Sequence, residues 1–195
     1  ECYGLHGSAY KRIALLSLAS EEESKKQNAT TELESSLAYY KKAMTEMVVD
    51  NSSYSWAATQ YLCLSAVIGT AQPDTDTYRF VRKLINEGMG NLGGGNLAWA
   101  HGAMAEIVLL SWYHDQLDVN DEVVLNKVTV EVGEHCRKIV ELMGAESFHV
   151  KSTARQFQRY IDFWLIDSPW IAVAQAAVKQ LTLVTVAINE KFPPY

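Results

Sequence analysis

Apolar residues along this chain recur every three or four positions, and no stretch alternates strictly between apolar and polar. The pattern therefore predicts an all-α chain with no sheet. Eight helices follow from the spacing, over approximately residues 3–20, 30–48, 53–69, 75–89, 95–116, 120–143, 149–166 and 169–190. Punctuation supports the breaks. A polar run from Glu21 to Asn28 separates the first two helices. Asp50-Asn51-Ser52-Ser53 ends the second and offers caps to the third. Gly69 to Pro73 closes the third, and Asp74 or Thr75 is placed to cap the fourth. Ser168-Pro169 pairs a cap with a proline in the first turn of the last helix. The segment from Leu97 to Tyr113 is apolar nearly all round, which marks a central helix. It carries His101 and Glu106. A buried carboxylate must be paired or protonated, so a cation from a neighbouring helix is expected beside Glu106.

Two-helix units that recur should leave internal similarity, and they do. Trp56-Ala-Ala-Thr-Gln-Tyr-Leu-Cys-Leu-Ser-Ala-Val aligns with Trp99-Ala-His-Gly-Ala-Met-Ala-Glu-Ile-Val-Leu-Leu, 43 residues later. A third copy starts 51 residues before Trp56, with leucine in place of tryptophan: Leu5-His-Gly-Ser-Ala-Tyr-Lys-Arg-Ile-Ala-Leu-Leu-Ser. Ser8-Ala9, Thr59-Gln60 and Gly102-Ala103 supply small or short residues three and four places on, where a second helix can approach closely.

With the run Ser36-Leu37-Ala38-Tyr39-Tyr40-Lys41-Lys42-Ala43-Met44, these segments resemble the tetratricopeptide repeat. Its pattern sets a tryptophan ahead of a small residue and an aromatic in one helix, then an alanine and a further aromatic in the next. Ser36 stands at the small position of the second helix, Tyr40 at the aromatic one and Ala43 at the following alanine. The spacings exceed the usual repeat of about 34 residues, and the closing proline is missing. The resemblance covers residues 1–145 best. It implies one helical-repeat domain over 1–195, a right-handed array of about four hairpins at approximately 1–50, 51–91, 92–145 and 146–195. It also implies a concave groove lined by the residues two before and five after each signature position. Those are Tyr3 and Tyr10 around Leu5, Tyr54 and Tyr61 around Trp56, and Leu97 and Met104 around Trp99. Such tyrosines and apolar side chains suit the grip of a peptide or small ligand. More narrowly, Gly7-Ser8-Ala9-Tyr10-Lys11-Arg12 and Lys151-Ser152-Thr153-Ala154-Arg155-Gln156 resemble stretches of the helical regions attached to bacterial caspase-like (CHAT), TIR or trypsin-like effectors. That resemblance implies a sensor or scaffold role in signalling or defence.

Composition narrows the function classes. At 195 residues and 48% apolar the chain buries a core as one domain or a repeat array. Acids outnumber bases 23 to 17, so bulk charge argues against nucleic acid as a partner. Three widely spaced cysteines, Cys2, Cys63 and Cys136, make no disulfide scaffold and point to a reducing, cytoplasmic setting. A start at Glu1 with no leader reads as a processed piece. The most apolar stretch, Ile171 to Ile188, contains Gln175, Lys179 and Gln180, which predicts a packed helix rather than a membrane span of about 20 apolar residues.

Candidate chemistry is sparse. Gly88-Met89-Gly90-Asn91-Leu92-Gly93 matches a dinucleotide fingerprint formally, but a helix precedes it where a strand is required, so it reads as an inter-repeat loop. Lys151, Arg155 and Arg159 recur every four residues on one helical face, a stripe suited to a carboxylate or phosphate. Lys11 and Arg12 are lesser anion-binding candidates. Glu146-Ser147-Phe148-His149 is a lone E-x-x-H, and Asp115, Asp118 and Asp121 lack a calcium-loop pattern. His135-Cys136 would need a partner from elsewhere in the fold. No nucleophile elbow or phosphate loop occurs, so neither metal nor cofactor nor enzymatic activity is expected. The reading is a non-catalytic scaffold for another protein, a peptide segment or an adjacent effector domain of the same polypeptide. The alternative is a sensor of a small anionic ligand such as a nucleotide.

Overall fold

The computed structural model describes residues 2–46, 51–68, 75–114 and 121–191, without the side chains of 51–53, 112–114 and 183–191. Every regular element among these residues is helical: α1 (Tyr3–Leu18), α2 (Glu23–Glu46), α3 (Asn51–Ile68), α4 (Thr75–Met89), α5 (Gly94–His114), α6 (Glu122–Met143), α7 (Phe148–Arg159), a π turn (Tyr160–Trp164) and α8 (Ile171–Lys191). Asp50, the break from Gly69 to Asp74, and Asp115 and Asp118 lie outside what is described, as do the side chains of the other expected caps, Asn51 to Ser53, whose backbone belongs to α3.

The eight helices follow the predicted order, and one boundary differs materially. The polar run expected as a loop belongs to α2, which begins at Glu23. Apolar periodicity cannot register a helical turn whose residues all face water. This one is supported instead by neighbouring charges, Lys25 on Glu22 at 2.8 Å and Lys26 near Glu23 at 3.9 Å. Caps fix other ends. Asp121 accepts from the Val123 and Val124 amides, Ser147 accepts from Val150 N, and Gly144, at φ 78°, closes α6. Ser168 and Pro169 form a turn ahead of α8, with Ile171 N donating to Ser168 O and Ala172 N to Pro169 O.

The chain divides into two compact units, Glu1–Ile85 and Asn86–Tyr195. In the first, α1 and α2 run antiparallel, because contacts move in opposite directions along them. Lys42 lies over the Tyr3 ring, Ser36 Oγ donates to Gly7 O at 2.7 Å, and Ser17 Oγ donates to Glu32. Gly7 is the close-approach point: a Cβ there would stand 3.0 Å from the Tyr40 ring. Ser36, Tyr40 and Ala43 are all buried, so the positions expected to pack the second helix do face the interior. Ala14, Leu33, Tyr40 and Leu64 form the core of this unit, with Leu37, Tyr61 and Ile68 against it.

The α1 and α3 contacts advance together, Gly4 meeting Trp56 and Lys11 meeting Gln60, so these helices run parallel with α2 packed on both. The second unit repeats that relation. Gly95 lies against His149, Gly102 against Thr153, and Glu106 against Gln156 and Tyr160, so α5 and α7 are parallel, and α6 packs on both. The apolar α5 is central as predicted: Ala98, Met104, Ala105, Ile107, Val108, Leu109 and Leu110 are all buried. Helix α8 closes the unit against α6 and α7 through Val173, Ala174, Ala177 and Leu181. No described helix is long and apolar enough to cross a membrane.

Candidate functional site

The densest polar chemistry lies between α5, α6 and α7. Glu106, only 7% exposed, accepts from Gln156 Nε2 at 3.0 Å and from Tyr160 OH at 3.2 Å. Gln156 Oε1 in turn accepts from Arg159 Nη1 at 2.9 Å. The expectation of a cation beside Glu106 is corrected: the donors that meet it are the neutral Gln156 amide and Tyr160 phenol, and Arg159 bonds to the far side of that amide. Local structure makes this geometry. Positions 95, 99, 102 and 106 share one face of α5, and 149, 153 and 156 share one face of α7 that Tyr160, the first residue of the π turn, continues. Glycines at 95 and 102 let the backbones approach. A Cβ would stand 2.8 Å from His149 Nε2 at the first and 3.2 Å from Thr153 Oγ1 at the second. Tyr160 then starts the π turn, closed by Leu165 N on Tyr160 O at 2.8 Å. One widened turn carries the phenol on the α5 side while the chain leaves the helix.

On the other side of α5, His101 Nδ1 and His135 Nδ1 stand 2.9 Å apart, with both rings half-buried. Burial pulls the His101 pKa below the ordinary imidazole value. Lys138 adds to that, and Glu141 opposes it. The hydrogen bond from Lys138 holds the Glu141 carboxyl low. His135 therefore finds its partner on α5, while the adjacent Cys136 turns into the core. Burial, with the Glu106 charge, pushes that thiol up to about 12. A thiol so placed is a packing group and not a nucleophile.

The predicted groove residues meet different neighbours within their own units. Tyr3 lies under Lys42, and Tyr10 stacks on Tyr39 at 5.5 Å, with His6 on the same ring at 5.2 Å. Tyr54 meets Phe80 edge-on, Tyr61 packs on the first unit's core, and Leu97 is half-buried. Met104 is corrected to a core residue: at 3% exposed it offers a partner no surface. Lys11 is likewise corrected. It is 5% exposed, with its ammonium on Gln60 Oε1 at 2.7 Å, so its charge is not presented to a ligand, whereas Arg12 is exposed.

The basic stripe on α7 divides among three neighbours. Lys151 pairs with Glu146 at 2.8 Å, the Arg155 guanidinium lies 5.8 Å over the Phe148 ring, and Arg159 turns to Gln156. Helical spacing put the three on one face, but their side chains do not converge. The glycine-rich segment is a turn, Asn91 N on Gly88 O and Leu92 N on Met89 O, entered from α4 rather than from a strand.

Of the three signature positions, Trp56 and Trp99 behave alike. Each is about two-fifths exposed and presents its ring to aromatic neighbours: Tyr40 for the first, Phe148 and His149 for the second. Leu5 is 66% exposed, and it is Gly4 of α1 that meets Trp56. Sequence reading did not single out Gln156, Tyr160, Gly4 or Gly95. The glycine pairs Gly4/Gly7 and Gly95/Gly102 carried the signal, since each pair shares one helical face.

Against known proteins this chain finds no match: no family model, no curated protein and no solved structure matches it.

Proposed function

We propose that this chain is a non-catalytic helical-repeat scaffold, a right-handed tetratricopeptide-like array of about four hairpins that binds a protein or peptide. In this reading it serves as the regulatory region of a larger signalling or defence protein. The observation that carries it is the twice-used relation of parallel helices, α1 with α3 and α5 with α7, each pair bridged by the helix between them. A hairpin stacked in this way buries its apolar face against the next and leaves the other faces of its helices for ligands. The half-exposed aromatics support it: Tyr3, Tyr10 and Tyr39 on the first hairpin, then Tyr54, Trp56 and Trp99, are residue types that dominate binding energy when covered. The buried polar groups favour a structural role, because Glu106 is tied into a hydrogen-bonded network and Cys136 is held as a thiol.

The test is peptide display against the immobilised chain. Saturable binding of enriched peptides, reduced at least tenfold by Tyr3→Ala with Tyr10→Ala or by Trp56→Ala, supports the reading. Absence of enrichment, or binding indifferent to all of these changes, overturns it.

A further inference from the structure

We propose that His101 and His135 form a binding site for a divalent transition metal of the imidazole-preferring class, such as Zn2+. Two ring nitrogens from different helices, both Nδ1, meet head-on 2.9 Å apart, with the ring centroids 5.2 Å apart. Between neutral imidazoles that contact is made by one shared proton: one ring donates and the other accepts. A metal ion takes the place of that proton, which the donor ring then carries on Nε2 after exchange through solvent with no net release. Both rings stay neutral, and both Nδ1 lone pairs bond to the ion. Zinc–nitrogen bonds of about 2.0–2.1 Å in tetrahedral geometry hold two nitrogens about 3.3 Å apart. The nitrogens therefore need to part by about 0.4 Å, and the rings, which face each other nitrogen to nitrogen, turn so that both lone pairs converge on the ion.

The helices bring both donors within reach of one ion. His101 sits on the central helix α5 and His135 on α6, and both rings are half-buried, so an ion has access from solvent. Among the described residues no group of three ligands is assembled. Water fills the remaining positions. Lys138, one turn after His135, is paired with Glu141 at 2.7 Å, so an acid accompanies the cation at the edge of the site. Imidazole donors suit Zn2+, Cu2+ or Ni2+ rather than Mg2+.

The experiment uses the full chain carrying Cys2→Ser, which removes the exposed thiol as a competing ligand. Zn2+ is titrated in competition with a chromogenic zinc indicator, with Mg2+ as control, and the Tm is followed in parallel. The expected result is saturable Zn2+ uptake with a rise in Tm and loss of uptake in both His101→Asn and His135→Asn. Should either histidine variant unfold, carbethoxylation of the parent mapped by mass spectrometry decides instead. Zn2+ protects both His101 and His135 if they are ligands. No uptake by the parent, uptake unchanged in His101→Asn, equal binding of Mg2+, or carbethoxylation unaffected by Zn2+ would each overturn the proposal.

Discussion

The two units solve the same packing problem with opposite charges. In each, a pair of parallel helices is brought together at a glycine and tied by a buried polar group further along. In the first the glycine is Gly4, under Trp56, and the tie is a cation, Lys11, on Gln60. In the second the glycines are Gly95 and Gly102, and the tie is an anion, Glu106, between Gln156 and Tyr160. Lysine is long enough to carry its ammonium along the helix surface to the boundary of the core, and Gln60 is only half-buried. Glutamate is shorter and must be met inside, so it recruits two donors and, through Gln156, a guanidinium. The first tie is therefore expected to be replaceable and the second not.

The largest expected effect follows directly. Glu106→Ala leaves Gln156 and Tyr160 without their acceptor and opens a cavity, and should cost about 3 kcal/mol of unfolding free energy. Lys11→Met keeps volume and should change stability by no more than about 1.5 kcal/mol. Denaturant titrations of the two variants compare these directly, and equal losses would erase the distinction. Next come the glycines. Gly7→Ala drives a methyl against Tyr40, which is 1% exposed and cannot yield, for a net loss of about 1 kcal/mol. Gly95→Ala meets only the end of the half-buried His149, and the gain in helix propensity, about 1 kcal/mol, should cancel the cost. Thermal melts of both variants would show whether close approach is equally strict in the two units.

Smaller effects sharpen the same contrast. Tyr160→Phe removes one donor to Glu106 and should cost about 1 kcal/mol, while Tyr10→Phe, whose ring stacks on Tyr39, should be nearly silent. Smallest are Leu5→Ser and Leu16→Ser on the outer face of α1, at 66% and 67% exposed. Each should stay within about 0.5 kcal/mol in the same denaturant assay. A larger loss there would mean that the α1 face is covered as the surfaces of α3 and α5 are.

The contrast also explains which sequence signals carried. Trp56 and Trp99 align and share a packing style, because both open helices that are buried on several sides. Leu5 aligns with them by sequence, yet α1 buries a single line of residues, Gly4, Gly7, Lys11 and Ala14. A helix packed on one side tolerates a shift of its buried face by one position, so its copy of the motif drifts. The anion stripe fails to converge for a related reason. Periodicity places Cβ atoms on a face, while long side chains choose among neighbours that only folding supplies.

Helix order, the central character of α5 and the inward face of Ser36, Tyr40 and Ala43 were set by the amino-acid sequence alone, since apolar spacing encodes which face of each helix leaves water. Tertiary structure decided the rest: the parallel pairing of α5 with α7, the meeting of His101 with His135 across 34 positions of sequence, and the enclosure of Glu106 by Gln156 and Tyr160. Local patterns report solvation, whereas these contacts depend on the approach of two helices. That distance is set by glycines whose partners lie about 50 residues away.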